Sequence, residues 1–294
     1  MAIRITQNAI SNRFQTDVQS IYAKMAKSQQ QISDGKRVTR PSDDPAGAGR
    51  IIDFDAQIVD VQRYQSSIKD AIGVLDTQDT SLDTITTALS TIRTKALQAK
   101  NDTNNLSDRA SIAQEITQLK EVIRDAMNAQ HAGAYVFSGT GSATQPYPAP
   151  ANAYAGTNNV VSKLVGPNQT VATEISGETV LNPQPGNTFD IIDQLVLDIQ
   201  GGISAGIDTG IVALDGEIDR TLNVRTDIGA RTSRLETMGD RMGLAEERLK
   251  SARSEVADVD AAEAYMNFTI QQNMYQASLA AGTRMLKTTI LDFI

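Results

Sequence analysis

Apolar side chains recur at alternating spacings of three and four residues near both ends of the chain, a pattern typical of one face of an amphipathic helix. Near the N-terminus the pattern predicts a first helix of about 28 residues, roughly 40 Å long at 1.5 Å per residue. Its stripe consists of Ile10, Phe14, Val18, Ile21, Met25 and Ile32, with Ser28 as a polar member. A stripe of this length needs another element to cover it.

The C-terminal stripe is the clearest periodic signal in the chain. It keeps the three-four spacing without a slip at Leu235, Met238, Met242, Ala245, Leu249, Ala252, Val256, Val259, Glu263, Met266 and Ile270. Four further positions carry it almost to the end: Met274, Ala277, Ala281 and Met285. Because each stripe lacks a partner close in sequence, we expect the two chain ends to pair as helices.

A long central helix is predicted after Pro45, because the next proline is Pro146. Apolar residues repeat there every seven positions, at Val61, Ile68, Leu75, Leu82, Leu89 and Ala96. The repeat indicates a bundle or coiled-coil helix of up to about 55 residues. A polar cluster at 101–108 ends it, and Ser107 is the predicted N-cap of a shorter helix that runs towards Gly133.

The segment 135–186 differs from its surroundings, since it holds most of the prolines and many of the glycines. Its strand-prone pieces are 135–137, 160–165 and 170–175. These features predict a small β-rich domain inserted into a helical scaffold. A short helix at 189–200 leads the chain back, and the glycines of 201–210 indicate a flexible connection.

The predicted fold class is mainly α with an inserted β-rich domain, and both chain ends form a long-helix bundle or coiled coil. We expect three domains. Residues 1–42 and 255–294 form a terminal helical pair, residues 43–137 and 211–254 form a helical rod, and residues 138–210 form the inserted domain.

Composition narrows the classes of function. The chain of 294 residues has a formal net charge of -8 and no cluster of Lys or Arg, which argues against a protein that binds nucleic-acid phosphates. It has no Cys, which excludes a disulfide framework and a thiolate metal site. The sequence shows neither a signal peptide nor a run long enough to span a bilayer, so we expect no membrane insertion.

Candidate chemistry is sparse. Asp43 and Asp44 precede Pro45, so they are better explained as a helix cap than as a catalytic acid pair. The single histidine, His131, lies near a predicted helix end, where a surface or capping role is expected. The chain lacks the spacings of a phosphate loop, a nucleophile elbow and an EF-hand. We therefore predict that it is no enzyme and has no catalytic, cofactor-binding or metal-binding residues.

Three segments carry a resemblance to a known family. SDGKRVTRPSDDPAG at 33–47 closely resembles the signature near the N-terminus of bacterial flagellins and of the related hook-filament junction proteins. NAQHAGAYVFSGT at 128–140 and MYQASLAAGTRMLKTTILDFI at 274–294 are more similar to the junction branch. The resemblance covers roughly residues 1–140 and 211–294, and the middle of the chain matches nothing recognisable.

The resemblance implies a structural subunit of the flagellum with a flagellin-like fold, located between the hook-associated ring and the filament and needed for motility. The implied partners are further copies in a homo-oligomeric ring, hook-associated protein 1 on the hook side, flagellin, a cytosolic export chaperone and the type III export apparatus. The implied location is extracellular, on the flagellum, and is reached without a cleaved signal peptide.

Two terminal helices alone bury only part of their apolar faces, so we expect neighbouring copies to complete the bundle. The candidate assembly-interface residues are Ile10, Phe14, Val18, Ile21, Met266, Ile270, Met274, Leu286 and Ile290. Periodicity does not separate self-pairing from assembly. Two alternatives remain open, namely a true flagellin and a secreted enzyme with its active site in 138–210.

Overall fold

The chain is mainly α-helical, as predicted. The computed structural model describes residues 7–101, 105–181 and 186–291. Its helices are α1 (Gln7–Asp34), α2 (Pro45–Ala99), α3 (Leu106–Met127), α4 (Gly177–Leu181), α5 (Thr188–Gly201), α6 (Ser204–Ala257) and α7 (Ala261–Leu291). Its strands are β1 (Gln130–His131), β2 (Ala134–Tyr135), β3 (Ser162–Gly166) and β4 (Gln169–Ala172). Within the described part, no helix is both long and apolar enough to cross a membrane.

The chain divides into two compact units. One, the terminal unit, comprises Met1–Asp60 and Glu246–Ile294, and the other, the central unit, comprises Val61–Ala245. The predicted domain boundaries near residues 42, 137, 210 and 254 stay predictions.

In the terminal unit, α1 packs against α7, so the two chain ends pair as expected. The connector, residues 35–44 between α1 and α2, contains the helix-capping residues that the sequence predicted. Gly35 follows the last residue of α1 with φ +65°, a left-handed conformation that glycine adopts without strain. Asp44 Oδ1 accepts a hydrogen bond from the Gly47 amide at 2.9 Å, which caps the start of α2.

The C-terminal stripe, whose three-four spacing runs without a slip in the sequence, is divided between two helices. Helix α6 ends at Ala257 and α7 begins at Ala261, with Asp260 Oδ1 accepting from the Ala262 amide at 2.8 Å. Residues of the connector form hydrogen bonds with backbone groups at this break. The Arg37 amide donates to Ala257 O at 2.7 Å, and the Val259 amide donates to Gly35 O at 3.1 Å. The stripe residues before and after the break therefore lie on two different helices.

The central unit has one contiguous hydrophobic core. The seven-residue pattern is confirmed at five of its six positions, which are buried, whereas Val61 is only half-buried. The buried positions are Ile68, Leu75, Leu82, Leu89 and Ala96. Helix α3 packs against α5 in the same unit. The fully buried Gln78 connects α2 to the irregular segment, since its Nε2 donates to Val136 O at 2.6 Å and to Ile175 O at 3.2 Å.

Three local predictions were wrong around α3. Its N-cap is Asn105 and not Ser107, because Asn105 and Asp108 form a reciprocal capping box at 2.9 and 3.2 Å. The helix ends before Gly133, which lies instead in the β1–β2 turn with φ +82°. His131 is half-buried and lies in β1, so it does not cap α3, whose C-cap is Asn128. Its ring packs on the backbone of Gly73, and its Nδ1 lies 3.2 Å from Thr77 Oγ1.

The predicted flexible connection at 201–210 is mostly helix. Helix α5 extends to Gly201, Gly202 forms a left-handed cap with φ +67°, and α6 starts at Ser204. The glycines serve close packing here, because a Cβ on Gly210 would lie 2.8 Å from Leu195 Cδ1 and a Cβ on Gly206 would lie 2.4 Å from the Asp198 carboxylate. Composition alone does not distinguish this use of glycine from flexibility.

Candidate assembly interface

The N-terminal candidates lie in the seam between α1 and α7. Phe14, Val18 and Ile21 are each half-buried on the face of α1 that packs on α7. The Phe14 ring rests on Gly282, where an added Cβ would come within 2.2 Å of Phe14 Cζ. These residues therefore have a partner inside the chain.

The α7 side of this seam was missed from the sequence. It is formed by Ala264, Phe268, Gln271, Tyr275, Ser278 and Gly282, which are the less exposed residues of the helix. Gln271 Oε1 accepts from Ser28 Oγ at 3.0 Å, and the rings of Tyr22 and Tyr275 lie 6.0 Å apart. The spacing of four and three residues was the available signal. This spacing did not indicate an interface, because the residues that follow it are small, polar or aromatic and form no apolar stripe.

The C-terminal candidates lie on a different face of α7. The exposed fractions of Met266, Ile270 and Met274 are 58, 49 and 52%. At 100° per residue, this face is centred roughly 120° from the seam with α1. We call Met266, Ile270, Met274, Ala277 and Ala281 the outer stripe. The structure therefore does not bring the two predicted sets together, and the side chains of Ile10, Leu286 and Ile290 lie outside the described residues.

Exposed ion pairs join residues of the connector to neighbouring parts of the chain. Lys27 donates to Asp43 Oδ1 at 2.8 Å, and this hydrogen bond, with one from Thr39, lowers the pKa of Asp43 to about 2. Lys36 donates to Asp258 at 2.5 Å and lowers the pKa of that carboxyl group in the same way. Because these groups are exposed, each pair contributes little to stability. Of the two, only the Lys36–Asp258 pair links the connector to the residues between α6 and α7.

The described residues contain no cluster of His, Cys, Asp or Glu that could hold a metal ion. The chemistry of this surface is that of contact between apolar faces. An apolar stripe that the chain leaves uncovered beside a paired seam is typical of a protein–protein contact surface.

The close contact at Gly282 makes a testable prediction for the seam. We expect Gly282→Leu to displace the Phe14 ring and separate α1 from α7, since overpacking costs about 3 kcal/mol and leucine regains only about 1 kcal/mol in helix propensity. Amide hydrogen exchange across residues 14–28 should become at least about tenfold faster. Ala280→Leu, at an exposed position of the same helix, is the control. Unchanged exchange in Gly282→Leu would show that the seam does not depend on this contact.

Comparison with known proteins agrees with this architecture. The bacterial flagellin N-terminal helical region matches residues 5–142, and the bacterial flagellin C-terminal helical region matches residues 211–294. The chain is 25% identical over 310 residues to flagellar hook-associated protein 3 of Salmonella typhimurium, covering 96% of this chain and 97% of that one. It is 28% identical over 264 residues to flagellin FlaB2 of Treponema pallidum, covering 88% and 86%.

A solved structure shows the same fold. The flagellar junction protein FlgL of Legionella pneumophila superimposes with a TM-score of 0.59 at 15% identity, over 71% of this chain and 100% of that one. The fold and the two matched regions define the class, which is that of helical flagellar proteins. The chain belongs to the bacterial flagellin family.

Proposed function

We propose that this chain forms the junction between the hook-associated ring and the flagellin filament. The observation that carries the proposal is the two-faced α7, which pairs with α1 through one side and presents the outer stripe on another. A subunit of this kind gains stability when a second copy covers the stripe. Each half-exposed Met or Ile that becomes covered contributes about 1 kcal/mol.

The proposed neighbours follow from the position of a junction. Copies of the chain form a ring through their outer stripes, with hook-associated protein 1 on the hook side and flagellin on the filament side. Methionine suits an interface with non-identical neighbours, because its flexible side chain adapts to different surfaces. We also propose that a cytosolic chaperone covers α7 before the type III apparatus exports the chain to the cell exterior.

The resemblance to hook-associated protein 3 along nearly the whole of both chains supports the junction over other flagellar positions. The YVFSGT segment at 135–140 and the LDFI ending support it too. We propose a structural role without catalysis, in keeping with the names of these relatives.

A flagellin is the second candidate, because the chain also matches flagellin FlaB2 over most of its length. Electron microscopy of the purified protein, with and without hooks that carry hook-associated protein 1, separates the two. We expect short caps only on hook ends, which then seed the growth of flagellin filaments. Long filaments from this protein alone would make it a flagellin and overturn the junction assignment.

A further inference from the structure

A cleft of about 550 Å³ opens in the central unit between the β3–β4 hairpin, the loop around Asn158 and helix α6. Arg220, Asn223 and Arg231 line it from α6, and Glu174 lines it from the segment after β4. Its volume is that of an ordinary small-molecule site. The outer stripe of α7 contributes nothing to this lining.

The carboxyl group of Glu174 has an unusual environment in this cleft. One of its carboxylate oxygens, Oε2, is buried without a hydrogen-bond partner among the described residues. This burial raises the pKa of Glu174 to about 7, and Lys163 offsets the effect only in part. A buried acid without a partner costs stability, and such residues are frequent in binding sites.

The charges around the cleft are balanced. Arg220 pairs with the buried Glu217 at 3.1 Å, and Arg231 pairs with Asp227 at 2.6 Å. Arg231 also donates to Ala172 O at 3.4 Å, so its guanidinium group is held beside the hairpin. Since each arginine has its own counter-ion, the cleft has no strong preference for an anion. The two arginines also disfavour a cationic ligand.

The remaining lining combines polar side chains with the apolar Val160, Ala172, Ile175 and Val224, and it contains no aromatic ring. Asn158, Asn159 and Asn223 provide amide groups that donate and accept hydrogen bonds, and Ser176 and Thr179 add hydroxyl groups. The apolar side chains, among them Val160 and Val224, provide surface for C–H groups beside these polar groups. A ligand rich in hydroxyl groups, with C–H faces and no net charge, satisfies this set. A nucleobase would find no ring on which to stack.

We propose that this cleft binds a neutral oligosaccharide of about two or three sugar units, a size set by its volume. The guanidinium groups and amides hydrogen-bond the sugar hydroxyls, and a hydroxyl donates to the carboxyl group of Glu174. Val160 and Val224 contact the C–H face of a ring. The site is separate from the outer stripe, so it does not depend on the junction assignment.

An array of neutral, acidic and amino oligosaccharides, probed with the full-length monomer and followed by calorimetric titration of the bound sugars, tests the proposal. We expect neutral di- or trisaccharides to bind, and Asn223→Ala to weaken that binding at least about fivefold, through the loss of one or two hydrogen bonds. Thr226→Ala, an exposed change on α6 outside the cleft, is the matched control. Binding only of charged sugars, binding of none, or equal affinity in Asn223→Ala would overturn the proposal.

The pH dependence gives a second readout. A hydroxyl that donates to Glu174 favours the ionised carboxylate, so binding should tighten between pH 6 and pH 8, by up to about tenfold if only the ionised form binds. Glu174→Gln keeps an acceptor but does not titrate, and its affinity should stay constant over this range. An identical pH profile in Glu174→Gln and the unmodified chain would show that Glu174 does not contact the bound sugar.

Discussion

The double variant Met266→Asp and Met274→Asp should remain a folded monomer but fail to assemble on hook ends. Both side chains are more than half exposed, so aspartate is solvated in the free chain and the free energy of unfolding should change by less than about 1 kcal/mol, about 0.5 kcal/mol for each substitution. In the assembly the same positions would be covered, and two buried unpaired carboxylates cost several kcal/mol. We expect assembly on hooks, measured by sedimentation and electron microscopy, to fall at least about a hundredfold.

The matched control is Gln272→Asp with Gln276→Asp, which adds the same charges to exposed positions of α7 outside both the seam and the outer stripe. This variant should assemble like the unmodified chain. If both double variants assembled normally, the outer stripe would not be the interface. If both failed equally, net charge on α7 would be the cause and not the position of the side chains.

Arg124→Ala should destabilise the central unit by about 2–4 kcal/mol, the largest single-residue effect that we expect on stability. Only 3% of the Arg124 surface is exposed. Its guanidinium group donates to Ala151 O at 2.5 Å and to Asn152 Oδ1 at 3.2 Å, and it lies 4.9 Å from the centre of the Phe189 ring. Alanine removes these interactions together and leaves a cavity. Urea unfolding followed by circular dichroism measures the loss.

Glu121→Gln is the control for Arg124. Glu121 forms an ion pair with Arg124 at 3.2 Å, but 48% of its side chain is exposed, so its loss should cost less than about 0.5 kcal/mol. A similar loss of stability in both variants would mean that the ion pair matters most. A loss in Arg124→Ala alone assigns the effect to the bonds with the loop at 151–152 and to Phe189.

Local chemistry made several parts of the fold predictable. The caps at Gly35 and Asp44 follow from backbone conformation and hydrogen bonding within a few residues, and the seven-residue repeat in α2 follows from helix geometry. These features need no information from distant parts of the chain. The errors at Ser107 and at 201–210 have a different origin. Asn105 and Ser107 are both suitable N-caps two positions apart, and the glycines at 206 and 210 are explained by the close packing of α5 against α6.

The candidate interface shows the same division. The sequence by itself determined that both ends of the chain are long helices with apolar stripes, because a stripe depends only on spacing along one helix. Only the tertiary structure decided which face of α7 meets α1. Gly282 and Gln271 belong to the seam because Gly282 contacts Phe14 and Gln271 hydrogen-bonds to Ser28, both on the opposite helix. Pairing depends on the complementary shapes of two surfaces, and the outer stripe is exposed because a less hydrophobic face fits α1 more closely.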